Sequence, residues 1–166
     1  MFANLEESGK LMKLIIDFMQ KLGSKISFGS ENVVNKKGKL FLINKKLREN
    51  SQSNFFYAGM YLGENKQGKF SPSFNLLSIL SKQKANKVII DKKAAWLFIY
   101  GKDIFRERIL KVDGDTKKGG ITLVLNNFED CLGFGEIIFD LDKESNKGEA
   151  VIKNILDLGD FLRREK

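Results

Sequence analysis

Histidine is absent from the 166 residues, and cysteine, proline and tryptophan each occur once. Without histidine the chain has no ordinary Cys/His zinc site and no imidazole base for a Cys/His nucleophile, so Cys131 reads as a core thiol. One cysteine also excludes an internal disulfide framework. Nowhere is there an apolar run of roughly eighteen residues, the length at which a helix spans a bilayer. The opening MFANLEES lacks the basic start and apolar core of a signal peptide. The expectation is an intracellular, cytoplasmic protein with no membrane association, no structural metal and no cofactor.

What is present is enough to fold. Apolar residues make up 42% of the chain and aromatic ones 11%, ample for packed cores in one large domain or two small ones. The net charge of +8 is unevenly distributed: residues 1–84 carry 14 Lys/Arg against 6 Asp/Glu, whereas residues 85–166 carry 15 of each. Taken alone, this places attraction for polyanions in the first half. The second half is polarised along its length, with 9 basic and 5 acidic side chains over residues 85–118 and 6 against 10 over residues 119–166. A neutral domain can still present a basic face.

Along the chain, Asn4 and Glu7 have the spacing of a capping box, and Leu11, Ile15, Phe18 and Leu22 recur at helical intervals before Gly23. Ile26–Phe28 and Val33-Val34 read as short strands, and Asn35-Lys36-Lys37-Gly38 as a turn into a strand at Leu40–Ile43. A hairpin packed on the first helix is the economical arrangement. Asn44–Arg48 predicts a short helix and Phe55–Leu62 a buried strand. Phe70–Phe74 pairs with that strand across a polar loop, Gly63–Lys69, and Leu76–Leu80 forms an apolar helix. The polar run Ser81–Asn86 is the one convincing boundary, which divides the chain into domains 1–84 and 85–166.

Past that boundary, Val88–Ile90 is a β-branched run, and Asp91 stands where an N-cap accepts the free amides of a helical turn. Ala94–Phe98 then reads as one or two turns of helix, with Trp96 in the core, and Gly101 ends them. Ile104–Val112, Ile121–Leu125, Leu132–Phe139 and Ala150–Ile152 are strand-like, with turn residues between them. Leu158–Arg164 forms a terminal helix. A strand, a capped short helix, a glycine and then a basic strand resemble the opening of a PUA domain, a small β-barrel that binds RNA.

Motifs that would carry catalysis fail on context. Gly63–Lys69 has the glycine and lysine spacing of a P-loop, but Phe70 stands where Ser or Thr must hold magnesium, and Ser71-Pro72-Ser73 interrupts any helix after it. Gly133-Phe134-Gly135 begins a dinucleotide fingerprint that Ile138 breaks, so these glycines read as a bulge or a close backbone approach. Asp113/Asp115 and Glu129/Asp130 lie in turn-like segments, where carboxylates serve turn geometry. Nothing points to an enzyme. If Ile104–Val112 is extended, Arg106 and Arg108 share one exposed face, with Lys102 and Lys111 near its ends, and such groups contact phosphate or stack on an unpaired base. Charge alone leaves RNA binding and simple solvation evenly matched.

Phe98–Val112 (FIYGKDIFRERILKV), Leu132–Phe139 (LGFGEIIF) and Asp157–Glu165 (DLGDFLRRE), together with Phe55–Phe70 (FFYAGMYLGENKQGKF), resemble in order and spacing the Nip-seven family of ribosome-biogenesis proteins. The resemblance covers residues 50–166 well and residues 1–50 in general layout. It implies an α/β (α+β) protein whose N-terminal antiparallel sheet with helices precedes a C-terminal PUA domain. It also implies an RNA-binding, non-enzymatic assembly factor of the large ribosomal subunit, which works with pre-rRNA and ribosome-assembly proteins. The matching basic positions are Lys93, Lys102, Arg106, Lys153, Arg163 and Arg164. Glu149 and Ala150 stand where relatives carry basic residues, and Leu156 is apolar, which thins the patch around Lys153. The strongly basic first domain can then share the RNA surface. An archaeal, cytoplasmic form is expected, nucleolar if the source is eukaryotic, with a monomer as the default state. Two other readings fit the same residues: an accessory subunit of an RNA-modifying enzyme, and a protein-interaction adaptor without specific RNA binding.

Overall fold

The computed structural model describes residues 5–50, 59–143 and 148–164. Packing divides the chain into two compact units, one of residues 1–20 with 26–76 and one of residues 21–25 with 77–166.

In the first unit, helix α1 (Leu5–Lys21) carries the predicted apolar stripe, with Ile15, Phe18 and Met19 buried. The Asn4 cap lies outside the described residues. Four antiparallel strands follow in the order β1 (Val33–Lys36), β2 (Lys39–Leu42), β3 (Met60–Lys66) and β4 (Lys69–Pro72), and the apolar helix α3 (Phe74–Ser81) comes after them in the chain. Phe18 of α1 meets Phe70 of β4 edge-on, with ring centroids 5.5 Å apart. On the opposite face Val34, Phe41 and Ile43 form a small core with Leu47, from α2 (Lys45–Asn50), and Tyr61 packed against it.

Two expectations change here. Ile26–Phe28 is irregular and not a strand. The supposed polar loop Gly63–Lys69 is mostly strand, with only Gln67 and Gly68 turning the chain, while Phe55–Ala58 lies outside the described residues. The β3 register explains the difference: Asn65 and Lys66 pair with Phe70 and Lys69, so their polarity marks an exposed sheet end and not a loop.

The second unit is one six-stranded sheet in the order β6 (Ile104–Phe105), β10 (Ala150–Asp157), β9 (Cys131–Ile137), β8 (Ile121–Leu125), β5 (Lys87–Ile90), β7 (Ile109–Asp113). Its two outermost strands, β6 and β7, are consecutive in the chain, joined only by a single 3-10 turn, Arg106–Arg108. Three residues reach at most about 11 Å. The sheet must therefore curl until its edges nearly meet, which is the half-barrel of a PUA-type fold. Ile104–Val112 is thus two strands belonging to different edges and not the continuous strand its sequence suggests.

The core inside the curl is Val88, Ile90, Phe98, Ile104, Val124, Leu132, Ile137, Leu141, Val151 and Ile152, with Ala94. Gly133 and Gly135 of β9 permit the close approach of β10. A Cβ on Gly133, whose φ is +147°, would lie 2.0 Å from the Leu156 carbonyl oxygen, and one on Gly135 would lie 2.6 Å from that of Lys153. Their partner strand is bulged between Asn154 and Leu156, as the glycine pattern anticipates.

Cys131 is buried, as a core thiol should be, and burial pushes its pKa up to about 11. Asn86 ties the start of the unit together. Its side-chain amide donates to the carbonyls of Lys21 (3.2 Å) and Ile121 (3.4 Å), and its Oδ1 accepts the Asp115 N–H at 3.0 Å. Its main chain bonds Leu22 and Leu123.

Candidate nucleic-acid interface

Helix α4 (Lys92–Phe98) is positioned from both ends. At its start Asp91 is the predicted N-cap, its Oδ1 accepting the Ala94 N–H at 2.8 Å, while Arg108 donates to Oδ2 at 3.1 Å. Burial opposes ionisation of this carboxyl. The Ala94 N–H and the bond and charge of Arg108 outweigh it and hold the Asp91 pKa below its ordinary value. At its end the Lys102 N–H bonds the Leu97 carbonyl and the Gly101 N–H bonds that of Phe98, with Gly101 at φ +80°. This is a Schellman closure, and the left-handed residue is the glycine that the sequence places there.

A helix of seven residues can bury one stripe, and α4 buries Ala94 and Phe98. Trp96 lies about 200° around the helix from both, on the opposite side. Trp96 is accordingly 61% exposed and not part of the core, contrary to the expectation from its size and hydrophobicity. Tyr100, four residues on, is 59% exposed, and the two rings pack with centroids 4.6 Å apart and planes tilted by 45°. Lys92 and Lys93 precede Trp96 by four and three residues, on the same side of the helix, and both are exposed.

The loop after α4 is held against β10 and α5 (Leu158–Arg164). Asn154 donates its side-chain amide to the Phe98 carbonyl at 2.7 Å and its main-chain N–H to Asp103 at 2.8 Å. Arg163 donates to the Ile99 carbonyl at 3.3 Å and reaches the buried Asp157 carboxylate at 3.5 Å. The same Asp157 accepts the Asp160 N–H at 2.9 Å and so starts α5. Exposed on these elements are Trp96, Tyr100 and Lys102 from α4 and its loop, Lys153 and Ile155 from β10, and Leu162 and Arg163 from α5.

The six basic positions singled out from sequence thus fall into groups. Lys93, Lys102 and Lys153 are exposed and form no ion pair among the described residues. Arg163 is exposed but already bonded to main chain and carboxylate. Arg106 is half-buried and its guanidinium donates to the carbonyls of Asp140 and Leu141, so it clasps the turn after β9 instead of projecting with Arg108 from a strand. The Arg164 side chain lies outside the described residues. Lys117 and Lys143 are committed elsewhere, to Asp142 at 2.6 Å and Asp140 at 2.8 Å. Sequence reasoning passes over the aromatic pair, Asn154 and the apolar Ile155 and Leu162.

Free ammonium groups around two exposed aromatic rings can neutralise phosphate and offer π faces to unpaired bases. The fold that carries them is that of a PUA domain. Residues 86–166 match the family described as the UPF0113 PUA domain. A UPF0113 protein of Archaeoglobus fulgidus is 31% identical over 112 residues, 66% of this chain and 63% of that protein. The chain therefore aligns with a little under two thirds of that relative's length.

Among solved structures, a conserved PUA domain protein from Thermoplasma acidophilum superposes with a TM-score of 0.62 at 19% identity, covering 98% of this chain and 96% of that one. A PUA domain from Aeropyrum pernix gives a TM-score of 0.63 at 18% identity, with coverage of 98% and 87%. The second unit thus has a PUA-type fold, and the first is a mixed α+β unit. No helix among the described residues is long and apolar enough to cross a membrane.

Proposed function

We propose that this chain is an RNA-binding assembly factor of the large ribosomal subunit, which takes part in pre-rRNA processing by binding and not by catalysis. The observation that carries RNA binding is the exposed Trp96–Tyr100 pair beside the unpaired Lys93 and Lys102 on a PUA-type fold. A large aromatic side chain held in water forgoes burial worth a few kcal/mol, and two such side chains packed together beside lysines suit a base-stacking surface better than a solvating one. The resemblance to the Nip-seven family supports the ribosomal context. In this reading an unpaired, uridine-rich segment stacks on α4 while Lys93, Lys102 and Lys153 meet its phosphates and Arg163 holds the loop after α4 in place. The remainder of the surface recruits assembly proteins.

The test is anisotropy of labelled single-stranded uridine-rich RNA against a duplex of the same length, at ~50 and ~200 mM salt, the range in which phosphate contacts declare themselves. Single-strand preference that persists at the higher salt, with quenching of the one tryptophan, is expected. Equal binding to both forms that vanishes with salt, leaving Trp96 emission unchanged, would refute it. Co-purification with large-subunit precursors, as opposed to an RNA-modifying enzyme, tests the ribosomal part.

A further inference from the structure

The two hairpins of the first unit end in the same five-residue pattern, Asn35-Lys36-Lys37-Gly38-Lys39 and Asn65-Lys66-Gln67-Gly68-Lys69. They also fold alike. Lys37 and Gly38 have φ of 51° and 79°, and Gln67 and Gly68 have 52° and 81°, so each tip is a two-residue turn of the I′ class. In each, the asparagine Oδ1 accepts the glycine N–H, at 3.0 Å in the first and 2.9 Å in the second. The tips are neighbours, because β2 pairs with β3 and the Asn65 N–H bonds the Gly38 carbonyl at 2.9 Å.

Register then decides where the lysines point. Lys36 lies opposite Lys39, Lys39 opposite Glu64, and Lys66 opposite Lys69. Directly paired residues share a face, and Lys66 follows Glu64 by two positions, so all five side chains stand on one face of the sheet. Lys37 extends from the tip beside them. Lys37, Lys39, Lys66 and Lys69 are exposed, and the one acid in the row is Glu64, 2.8 Å from Lys66.

Like charges directly opposite each other destabilise a sheet, yet both hairpins set lysine against lysine on their last rung. Protection of exposed sheet edges would explain Lys36 and Lys69, which lie on the outer strands. It does not explain Lys39 and Lys66, which lie on the inner ones. The arrangement is relieved by a polyanion laid across the four strands, over a span of about 14 Å. Neither tip carries an apolar side chain to insert into a bilayer, which favours a nucleic-acid backbone over a lipid surface.

We propose that these paired tips form a second RNA site, which binds two or three phosphates of the sugar-phosphate backbone without reading bases. The proposal rests on the RNA-binding reading of the PUA-type domain and adds a separate contact in the first unit.

The experiment compares full-length wild type with Lys37→Gln/Lys39→Gln/Lys66→Gln/Lys69→Gln and with a charge-matched control, Lys10→Gln/Lys13→Gln/Lys21→Gln/Lys25→Gln. The probe is a single-stranded RNA of about 20 nucleotides. Each single-strand phosphate contact contributes about 0.7 to the slope of log affinity against log salt, so the tip variant should lose about 1.5–2 in slope and the control much less. Equal losses in both variants would reduce the effect to net charge and overturn the site, as would an unchanged slope in the tip variant. Loss of binding to anionic phosphatidylserine vesicles with RNA binding intact would assign the tips to lipid instead. Should the quadruple variant lose its circular-dichroism signal, Lys37→Asn, a residue at home at positive φ, still removes one tip charge and should lower the slope by about 0.7. Wild type that fails to bind RNA would sink the proposed function together with this site, whereas RNA binding that needs Trp96 and ignores the tips sinks this site alone.

Discussion

Replacing Trp96 with alanine separates stability from binding in a way that depends on where the ring sits. A tryptophan side chain offers about 250 Å² for burial. At 61% exposed, roughly 100 Å² of Trp96 is removed from water, an upper limit of about 2.5 kcal/mol at ~25 cal/mol/Å². Alanine keeps the Cβ, which lies closest to the helix and is its most covered part. The expected loss is therefore about 1 kcal/mol, against ~3–5 kcal/mol for a buried tryptophan. Binding should respond more strongly, since losing one base stack costs about 1–3 kcal/mol, or roughly 5- to 150-fold in affinity. Trp96→Phe, which keeps a π face, should recover much of it. Urea unfolding followed by far-ultraviolet circular dichroism gives the first quantity, and RNA anisotropy on the same preparations gives the second. In wild type the single tryptophan should also emit as a solvated indole, open to acrylamide. A stability loss above ~3 kcal/mol, the buried-tryptophan range, with acrylamide-protected emission would return Trp96 to the core. Unchanged RNA affinity in a folded Trp96→Ala protein would remove the stacking surface.

Other consequences concern the framework. Asn86→Ala removes a buried side chain that bridges Lys21, Ile121 and Asp115, leaving three half-buried main-chain groups unmatched, and should cost about 2–3 kcal/mol in urea unfolding. Gly133→Ala places a methyl against the Leu156 carbonyl at a φ that L-residues rarely adopt, so strain and overlap together should cost at least ~3 kcal/mol and increase amide exchange along β9 and β10, while Gly119→Ala, at φ +87° with nothing near its Cβ, bears the backbone strain alone and should cost about 1 kcal/mol. The Cys131 thiol, raised from 9.0 to about 11, stays protonated when folded while the unfolded chain ionises near pH 9. The contribution of Cys131 should thus be constant below pH 9 and fall between about pH 9 and 11, and Cys131→Ala removes that part of the alkaline decline. Asp91 has the opposite sign: its lowered pKa stabilises the fold above the ordinary carboxylate range and loses that contribution as pH falls through it, so Asp91→Asn should flatten the acid limb of the unfolding curve.

Most elements are legible in the sequence because their signals are local. Asp91 and Gly101 bracket α4 by cap chemistry, the alternating and β-branched run Ile121–Leu125 matches β8 residue for residue, and Leu158–Arg164 matches α5. What is not legible depends on partners distant in sequence. Ile104–Val112 looks like one strand because most of its residues suit a strand well enough. The break at Arg106–Arg108 exists because the curled sheet needs its two edges joined by a single turn, a condition of the whole sheet that no short window contains. The length of β10 escapes a local reading for the same reason: Lys153 and Asn154 are polar and end an apolar run, but β9 and its glycines continue the ladder past them to Asp157.

The candidate site shows how size and hydrophobicity mislead when geometry is set aside. Trp96 stands amid apolar neighbours, and its bulk argues for the core. Spacing argues the reverse. Ala94 and Phe98 are four apart, Trp96 falls midway between them, and a helix too short for a second buried stripe must turn that midpoint outward. Once Asp91 and Gly101 fix the length of the helix, residue spacing alone sets Trp96 and Tyr100 outside as an exposed pair. The basic residues resist such treatment, because Arg106 and Lys93 are alike in sequence and differ only in that carbonyls of Asp140 and Leu141 face one of them. A charge becomes available to a ligand only where the fold leaves it unclaimed, and on α4 those unclaimed charges coincide with the aromatic rings.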